Sequence, residues 1–433
     1  MSAAATLPET APITPPPRLV LPAVEELLLW AIVILSPLQD TILQNTPLKL
    51  LAASPAALGV LLLALLAMAR RILRPGLSVN RALLIGFAYV AVVSAAHLIT
   101  FQPGLDTVQW RPLRTYSLMT ALFLFMLMGV GYRSTRGLRI AIYLSFVVTL
   151  IGVLVGGVLG PNAITVLQFT PNVSGRPHGF STEAGTLSVQ IVCIGMLVSH
   201  YVRRGWAKLL TGAMTCALLI YSQSKGGLIV LLVCTLIVAL VRSRASLTSK
   251  LLVALLVSPA IVVGVLFVSS MFSSVIELNQ TSTIATRVSM VVFSLITVLH
   301  NPFGVGFTGF LPSLPKYLPQ AMWTVQSWFP MPLAFVEVKE YLAPPFQDAD
   351  CKTLFFDFFT FFGIPFAAIF FRFTVRLLRG LLRTGCFALF VGVLFSVAAM
   401  LTYYSTLNAY TVPLLIGIAL HEVRQREAAL CLH

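Results

Sequence analysis

Residues Thr286–Phe310 read TRVSMVVFSLITVLHNPFGVGFTGF, a basic residue followed by an apolar run and a glycine-rich turn. The run is too short to span a membrane, so it predicts a helix that lies on or dips into a membrane surface and holds Arg287 at the interface. Asn301, Pro302 and the glycines after them predict a sharp chain reversal. The stretch belongs to the one long interruption in an otherwise apolar sequence, residues 271–352.

The composition outside this interruption indicates a membrane protein. Hydrophobic residues make up 58% of the chain and charged residues 10%, whereas charged residues form about 25% of a soluble domain. The pattern predicts an all-α fold, a polytopic bundle of about 12 transmembrane helices with one long periplasmic loop. The predicted spans lie near residues 23–39, 48–69, 82–101, 113–131, 139–159, 185–202, 207–222, 226–241, 251–270, 353–371, 384–402 and 408–420.

The formal net charge of +15 follows this topology. Most of the basic residues fall in alternate loops, as the positive-inside rule expects if the N-terminus is cytoplasmic. The charge therefore indicates orientation and contact with membrane lipids, and it predicts no nucleic-acid partner. We expect a multi-pass protein of the bacterial inner membrane with both termini cytoplasmic.

The apolar spans and the loops between them divide the chain into five predicted segments. The first is a disordered cytoplasmic tail without the basic start and cleavage site of a removable signal. The cysteines show no metal-ligand spacing, so neither a metal nor another cofactor is predicted. The segments are 1–22, the tail; 23–270, transmembrane helices 1–9; 271–352, a long periplasmic loop with an interfacial helix; 353–420, transmembrane helices 10–12; and 421–433, a cytoplasmic tail.

A second polar element, NVSGRPHGFSTEAG at residues 172–185, precedes the sixth predicted span. Arg176 stands between a glycine and a proline, which suits bidentate capture of phosphate or, alternatively, a lipid headgroup. Ser181 and Glu183 are suited either to capping the next helix or to contacting a substrate. His178 is a candidate for either a substrate contact or a hydrogen bond within the protein.

Two further outer elements carry charge. The predicted hairpin YSQSKGG at residues 221–227 contains Lys225, which either snorkels at the interface or contributes to an anion site. Asp350 lies where the long segment returns to the membrane. Asp357 falls about one turn inside the tenth span, where an unpaired carboxylate is costly and is therefore expected to be paired or functional.

The order of these elements resembles the O-antigen polymerase and ligase superfamily, integral membrane glycosyltransferases of the GT-C type, over essentially the whole chain. The matching pieces are RPHGFSTEAG, SQSKGG, TR with its apolar run and NPFGVGFTGF, and a long segment closing on FFGIP. The resemblance implies substrates linked to undecaprenyl diphosphate and essential arginines in two outer loops, places that Arg176 and Arg287 occupy. Many ligases of the family have a His-Asn pair shortly before the returning span, whereas this chain has PPFQDADCKTLFFDFFTFFG at residues 344–363. The missing histidine favours a Wzy-type polymerase.

We therefore predict a metal-independent polymerase of exopolysaccharide or O-antigen repeat units, acting on undecaprenyl-diphosphate-linked oligosaccharide. An O-antigen ligase that transfers glycan to lipid A core or another acceptor, and a polysaccharide transporter or flippase, remain alternatives. A chain-length regulator and a separate flippase are the expected protein partners.

Each candidate residue has an expected role in this chemistry. Cations would stabilise the departing diphosphate, and a carboxylate would accept the proton of the attacking hydroxyl. The candidates are Glu183, Asp350 and Asp357 as catalytic groups; Arg176, Arg287 and Lys225 for the diphosphate; and His178, Ser181, His300 and Asn301 for other substrate contacts.

Overall fold

The structure, a computed structural model, describes residues 23–39, 41, 54–73, 81–101, 135–158, 178–181, 183–242, 248, 277–330, 332–343, 349–405 and 410–430. Helices dominate these ranges. They are α1 (Ala23–Leu35), α2 (Pro55–Leu73), α3 (Arg81–Phe101), α4 (Thr135–Val158), α5 (Ala184–Tyr201), α6 (Gly205–Tyr221), α7 (Lys225–Arg242), α8 (Glu277–His300), α9 (Gly306–Trp328), α10 (Val336–Glu340), α11 (Leu354–Arg383), α12 (Phe387–Thr402) and α13 (Thr411–Leu430).

The apolar spans predicted within the described ranges coincide with helices. Two predicted spans, 113–131 and 251–270, lie outside those ranges. In the described part of the chain, four helices are long and apolar enough to cross a membrane: Arg136–Gly157, Ala184–Tyr201, Lys225–Arg242 and Leu354–Arg383. Helix α13 continues to Leu430, beyond the predicted boundary at residue 420, because HEVRQREAAL is rich in strong helix formers.

The bundle has two ends, which we name from the direction of its helices. The upper end is where α5, α7 and α11 begin and where α6 and α12 finish. The lower end is where α5, α7, α11 and α13 finish and where α6 and α12 begin. Helix α12 packs against α5, α7, α11 and α13, so it lies at the centre of this part of the bundle.

The segment 271–352 differs from the loop that the sequence predicts. It contains two long helices, α8 and α9, which form an antiparallel hairpin with α9 packed on α3 and α11. Helix α9 contains Pro312, Pro315 and Pro319 and therefore does not resemble a helix in sequence. The prolines lie away from the buried face that carries Phe310 and Leu314. Packing of that face stabilises the helix against its poor intrinsic propensity.

The predicted chain reversal is confirmed between α8 and α9, and it docks into a kink in α11. The amide of Ile364 donates to the Pro302 carbonyl over 2.8 Å, and the amide of Val305 donates to the Thr360 carbonyl over 2.9 Å. Gly363 has φ 64° and ψ −155°, and a Cβ there would overlap the Pro302 carbonyl oxygen. The kink therefore requires glycine.

The reversal lies deep in the bundle. Gly363 is nine residues beyond the start of α11, which corresponds to about 14 Å along a helix. At this level the Tyr89 hydroxyl of α3 lies 2.8 Å from both the Phe303 and the Phe362 carbonyl oxygens, and its single proton is donated to this pair of acceptors. His97 of α3 lies 2.9 Å from the Gly304 carbonyl through Nε2. The hairpin thus enters from the upper end and turns back about 14 Å along α11.

Candidate functional site

Tyr403, which follows α12, joins three of the predicted polar elements at the upper end. A Cβ at Gly226 would lie 3.3 Å from its ring and one at Gly185 would lie 3.7 Å away. The Tyr403 hydroxyl is 3.0 Å from Ser188 Oγ, and its carbonyl accepts a 2.9 Å hydrogen bond from Arg287 Nη1. The YSQSKGG hairpin, the start of α5 and the arginine of α8 therefore meet around one residue.

Arg287 is half-buried and held by main-chain carbonyls. Its Nη1 donates to Tyr403 O, as described, and to Lys352 O over 3.5 Å. No acidic side chain of the described residues forms an ion pair with it. Carbonyls orient a guanidinium without neutralising it, and Nη2 and Nε make no hydrogen bond within the described ranges. The arginine is therefore prepared to bind an anion.

The carbonyl of Lys352 points to Arg287 because of an unusual local backbone. Lys352 has φ 57°, a left-handed conformation that costs a non-glycine residue about 1–2 kcal/mol. Its amide donates to Asp350 Oδ1 over 3.1 Å. Its ammonium lies 3.0 Å from Glu337 Oε1 and 3.6 Å from Asp350 Oδ1. These contacts fix the turn that supplies one of the two carbonyls for Arg287.

Lys352, Glu337 and Asp350 form a cluster in which the carboxylates compensate the charge of the lysine. Burial alone would lower the pKa of Lys352, but Asp350, Tyr341 and Glu337 raise it above its ordinary value. Burial alone would raise the pKa of Glu337, but Lys352 and hydrogen-bond donors including Tyr341 bring it below its ordinary value. Lys352 and Glu337 therefore form a charged pair at neutral pH, whereas the charge of Arg287 has no acidic partner among the described residues.

Asp350 connects the cluster to the start of α5. Burial raises the pKa of Asp350, Lys352 opposes the shift, and the carboxylate of Glu183 adds to it. Glu183 is exposed and forms the N-cap of α5 without a side-chain capping hydrogen bond. Asp350 is therefore a carboxylate with a raised pKa between an acidic and a basic neighbour, which suits proton transfer.

Asp357 is a second carboxylate at the upper end, in the first turn of α11. It is 2% exposed, and its Oδ1 accepts a 2.7 Å hydrogen bond from the amide of Cys351. Within the described residues its Oδ2 has no hydrogen-bond partner. A buried acceptor without a donor is uncommon and costs free energy, so a substrate hydroxyl at Oδ2 would satisfy it.

The upper end thus collects Glu183, Arg287, Asp350 and Asp357 with Lys225, the half-buried first residue of α7. Arg176 lies outside the described residues, so its predicted role stays a prediction.

His178 and Ser181 make hydrogen bonds within the protein. His178 Nδ1 lies 2.5 Å from the Ser181 carbonyl. The Ser181 hydroxyl donates to Gln190 Oε1 over 2.6 Å, and Gln190 Nε2 donates to the Pro37 carbonyl over 3.2 Å. Both residues are buried. They hold the loop before α5 against α5 and the residues after α1, so the capping role considered for Ser181 does not occur.

His300 and Asn301 lie at the deep reversal, away from the other candidates. Because α8 is a continuous helix that penetrates the bundle, its last residue is about 20 Å along the axis from Arg287. His300 stacks on Tyr317 with ring centroids 5.0 Å apart. Asn301 Nδ2 donates to the Thr297 carbonyl over 3.0 Å. The substrate contacts predicted for these two residues therefore stay predictions, and the structure does not bring them together with Arg287.

Sequence reasoning did not identify Tyr403, Lys352 or Glu337 as parts of the site. A tyrosine at the end of an apolar span is typical of a membrane interface, and a lysine beside acidic residues is typical of a solvated loop. Their roles depend on contacts between distant parts of the chain, for which the sequence contains no local signal.

An apolar groove of about 340 Å³ begins beside the cluster and lies between α11, α12 and α13. Leu354 and Tyr404 line it, and the Leu354 amide donates to the Tyr404 carbonyl over 2.6 Å. Each of these residues lies one or two positions after a carbonyl that holds Arg287. The groove continues past Phe370 to Leu377. A cation and a long apolar surface therefore adjoin each other, as an anionic lipid requires.

Two comparisons with known proteins give matches to this chain. Residues 209–332, which include Lys225, Arg287 and the α8–α9 hairpin, match the family model described as O-antigen ligase. The chain is 27% identical over 390 residues to a Klebsiella pneumoniae protein described as "Uncharacterized 49.5 kDa protein in cps region", covering 88% of each chain. Together with the order of the motifs, these matches support a relationship between this chain and the O-antigen polymerase and ligase superfamily of glycosyltransferase-like membrane enzymes.

Proposed function

We propose that this protein polymerises undecaprenyl-diphosphate-linked oligosaccharide repeat units for exopolysaccharide or O-antigen at the periplasmic face of the bacterial inner membrane. The observation that carries the proposal is Arg287, a half-buried guanidinium held by two carbonyls and without an acidic partner among the described residues. The family match and the relative from the cps region support a polysaccharide polymerase or ligase.

In the proposed reaction, a sugar hydroxyl of one lipid-linked repeat attacks the anomeric carbon of another. The bond from that carbon to the diphosphate oxygen breaks, and undecaprenyl diphosphate leaves with the bonding electrons. Arg287 stabilises the negative charge that develops on the departing oxygens, and Arg176 is the second cation proposed for this role. Guanidinium groups supply this stabilisation without a metal.

The proton of the attacking hydroxyl passes to a carboxylate. Asp357 Oδ2 is the favoured acceptor because it is buried and unsatisfied within the described residues. Asp350 is the second candidate because its pKa is raised by burial. Either group must come within about 3 Å of the hydroxyl in the bound complex.

The groove beginning at Leu354 and Tyr404 suits the isoprenoid part of the donor. With the chain in the groove, the diphosphate would lie near the backbone segments that hold Arg287. This placement leaves the sugar portion above the upper end, where Glu183 is exposed.

A ligase is the second candidate, since the matched family model is described as O-antigen ligase. Residues 344–363 contain three aspartates and no histidine, which favours a carboxylate base and hence the polymerase. Genetic deletion followed by gel analysis of the surface glycan distinguishes the two. Glycan reduced to a single repeat unit supports the polymerase, whereas long lipid-linked chains that accumulate without attachment would establish the ligase instead.

The role of Arg287 is tested in the deletion strain by complementation. Arg287→Ala is expected to lower polymer synthesis about 100- to 1000-fold, the usual loss when one preorganised donor to a developing charge is removed. Arg287→Lys should also lose polymer synthesis, because a lysine ammonium lacks the planar guanidinium that can donate to both carbonyls and to a phosphate at the same time. Asp357→Asn, which preserves the acceptor for the Cys351 amide, tests the base in the same assay.

Arg376→Ala is the matched control. This arginine is exposed on α11 well below the site, so its loss should leave polymer length and yield unchanged. All variants must reach wild-type abundance in the membrane. Normal polymer from Arg287→Ala at that abundance would remove Arg287 from the site.

A further inference from the structure

A second cavity, of about 690 Å³, opens at the lower end of the bundle. It lies between the last turns of α5 and α7 and the first turns of α6 and α12, and Arg426 near the end of α13 borders it. Lys208, Arg242 and His200 also line it. Because α5, α7 and α12 connect it to the opposite end, this cavity is separate from Arg287 and from the proposed transfer reaction.

The charges around the cavity do not balance. Glu422 lies 3.7 Å from Arg426 and 3.6 Å from His200, so one carboxylate serves both groups. Within the described ranges, Lys208 and Arg242 form no ion pair. The Arg242 guanidinium lies over the Phe387 ring, 4.8 Å from its centroid, which fixes its position without neutralising it. The cavity is therefore electropositive and suited to an anion.

The deeper wall of the cavity is apolar. Cys216 of α6, Leu231 and Leu232 of α7 and Val391 of α12 form it. From Arg242 to Leu231 the wall extends about 16 Å at the helical rise of 1.5 Å per residue. A free phosphate or another small soluble anion would bind to the cations, but it would not bury this apolar surface. The combination fits an amphiphile with a negative headgroup.

We propose that this cavity binds an anionic phospholipid from the leaflet at the lower end of the bundle. Its phosphate lies between Lys208 and Arg242, and one acyl chain follows the wall formed by α6, α7 and α12. Basic pockets between membrane helices bind anionic headgroups in this way, with about 1 kcal/mol of attraction for each cation near the surface. A zwitterionic lipid would leave the excess positive charge uncompensated.

The test uses the purified full-length protein in detergent and native mass spectrometry with added phosphatidylglycerol or phosphatidylcholine. We expect retention of phosphatidylglycerol over phosphatidylcholine. Lys208→Gln should weaken phosphatidylglycerol binding about 5-fold, and Lys208→Gln with Arg242→Gln about 25-fold, from the attraction per cation. Lys208 is exposed, so the single variant is expected to fold and gives a result by itself. Lys208→Arg should retain the lipid.

The matched control is Arg203→Gln with Arg204→Gln. These exposed arginines lie at the same end and do not line the cavity. Their double replacement removes the same charge as the cavity double variant, and binding should change less than about 2-fold because exposed charges are largely screened by salt. Equal retention of the two lipids, or an equal loss in this control, would overturn the proposal. Thermal protection by inorganic phosphate alone, equal to that by phosphatidylglycerol, would show a free-anion site and would also overturn it.

Discussion

Replacement of Gly363 by alanine tests the contact between the α8–α9 reversal and the kink in α11. Gly363 has φ 64° and ψ −155°, a region that is essentially restricted to glycine. An alanine Cβ would overlap the Pro302 carbonyl oxygen and lie 2.5 Å from Gly304 N and 2.6 Å from Phe303 C. All three neighbours are main-chain atoms, so no side-chain rotation can relieve the overlap.

The expected cost can be estimated from two contributions. The backbone conformation costs a non-glycine residue about 1–3 kcal/mol. Separation of the two segments also weakens the hydrogen bonds from Ile364 to Pro302 and from Val305 to Thr360, each contributing about 1 kcal/mol. Gly363→Ala should therefore destabilise the protein by about 3–5 kcal/mol, a large part of the 5–15 kcal/mol typical of a folded protein.

The assay is denaturant titration of the purified protein in detergent, followed by helical circular dichroism. Gly86→Ala is the matched control, because Gly86 lies within α3 and a Cβ there has no neighbour within 4 Å. This control should stabilise the protein slightly, by up to about 1 kcal/mol, since alanine favours a helix. A Gly363→Ala protein within about 1 kcal/mol of wild type would show that the reversal does not dock as described.

Two further substitutions separate structural from functional roles. Ser181→Ala leaves the buried Gln190 Oε1 without its 2.6 Å donor, so the free energy of unfolding should fall by about 1–3 kcal/mol; unchanged stability with lost polymer would restore Ser181 as a substrate contact. Glu337→Gln removes the ion pair with Lys352. Because the Glu337 side chain is 38% exposed, this pair contributes only about 0.2–1 kcal/mol to the free energy of unfolding. Because the pKa of Glu337 is lowered in the folded protein, this contribution is present at neutral pH and is lost as the pH falls below about 4.3. Thermal midpoints of wild type and Glu337→Gln should converge on acidification, and a constant difference would contradict the pairing.

The sequence predicts the elements whose signals are local. Long apolar runs identify α5 and α7 to within a few residues, since burial and membrane insertion both require uninterrupted apolar sequence. The same signal finds the start of α11, but the helix continues to Arg383, beyond the predicted end at residue 371. The Asn301-Pro302 pair and the glycines that follow predict the reversal for the same reason, as turn chemistry depends on adjacent residues.

Signals that depend on packing were misleading or absent. The three prolines of α9 argue against a helix, yet its buried face against α3, α8 and α11 stabilises one. The helical hairpin then carries His300 and Asn301 deep into the bundle. The carbonyls that hold Arg287 come from residues 65 and 116 positions away in sequence. No local sequence motif connects positions so far apart.

The contrast between Arg287 and Lys352 gives a physical criterion for separating a ligand-binding cation from a structural one. Lys352 lies between two carboxylates, so its charge is already compensated and its removal would chiefly disturb the turn that it stabilises. Arg287 is positioned by neutral carbonyls, so the protein fixes its orientation while leaving the charge available. Preorganised but uncompensated charge is the form that stabilises a departing diphosphate most effectively, because little reorganisation is needed as the negative charge develops. The turn at Lys352 therefore serves the reaction by holding the arginine, and the arginine is the group expected to meet the substrate.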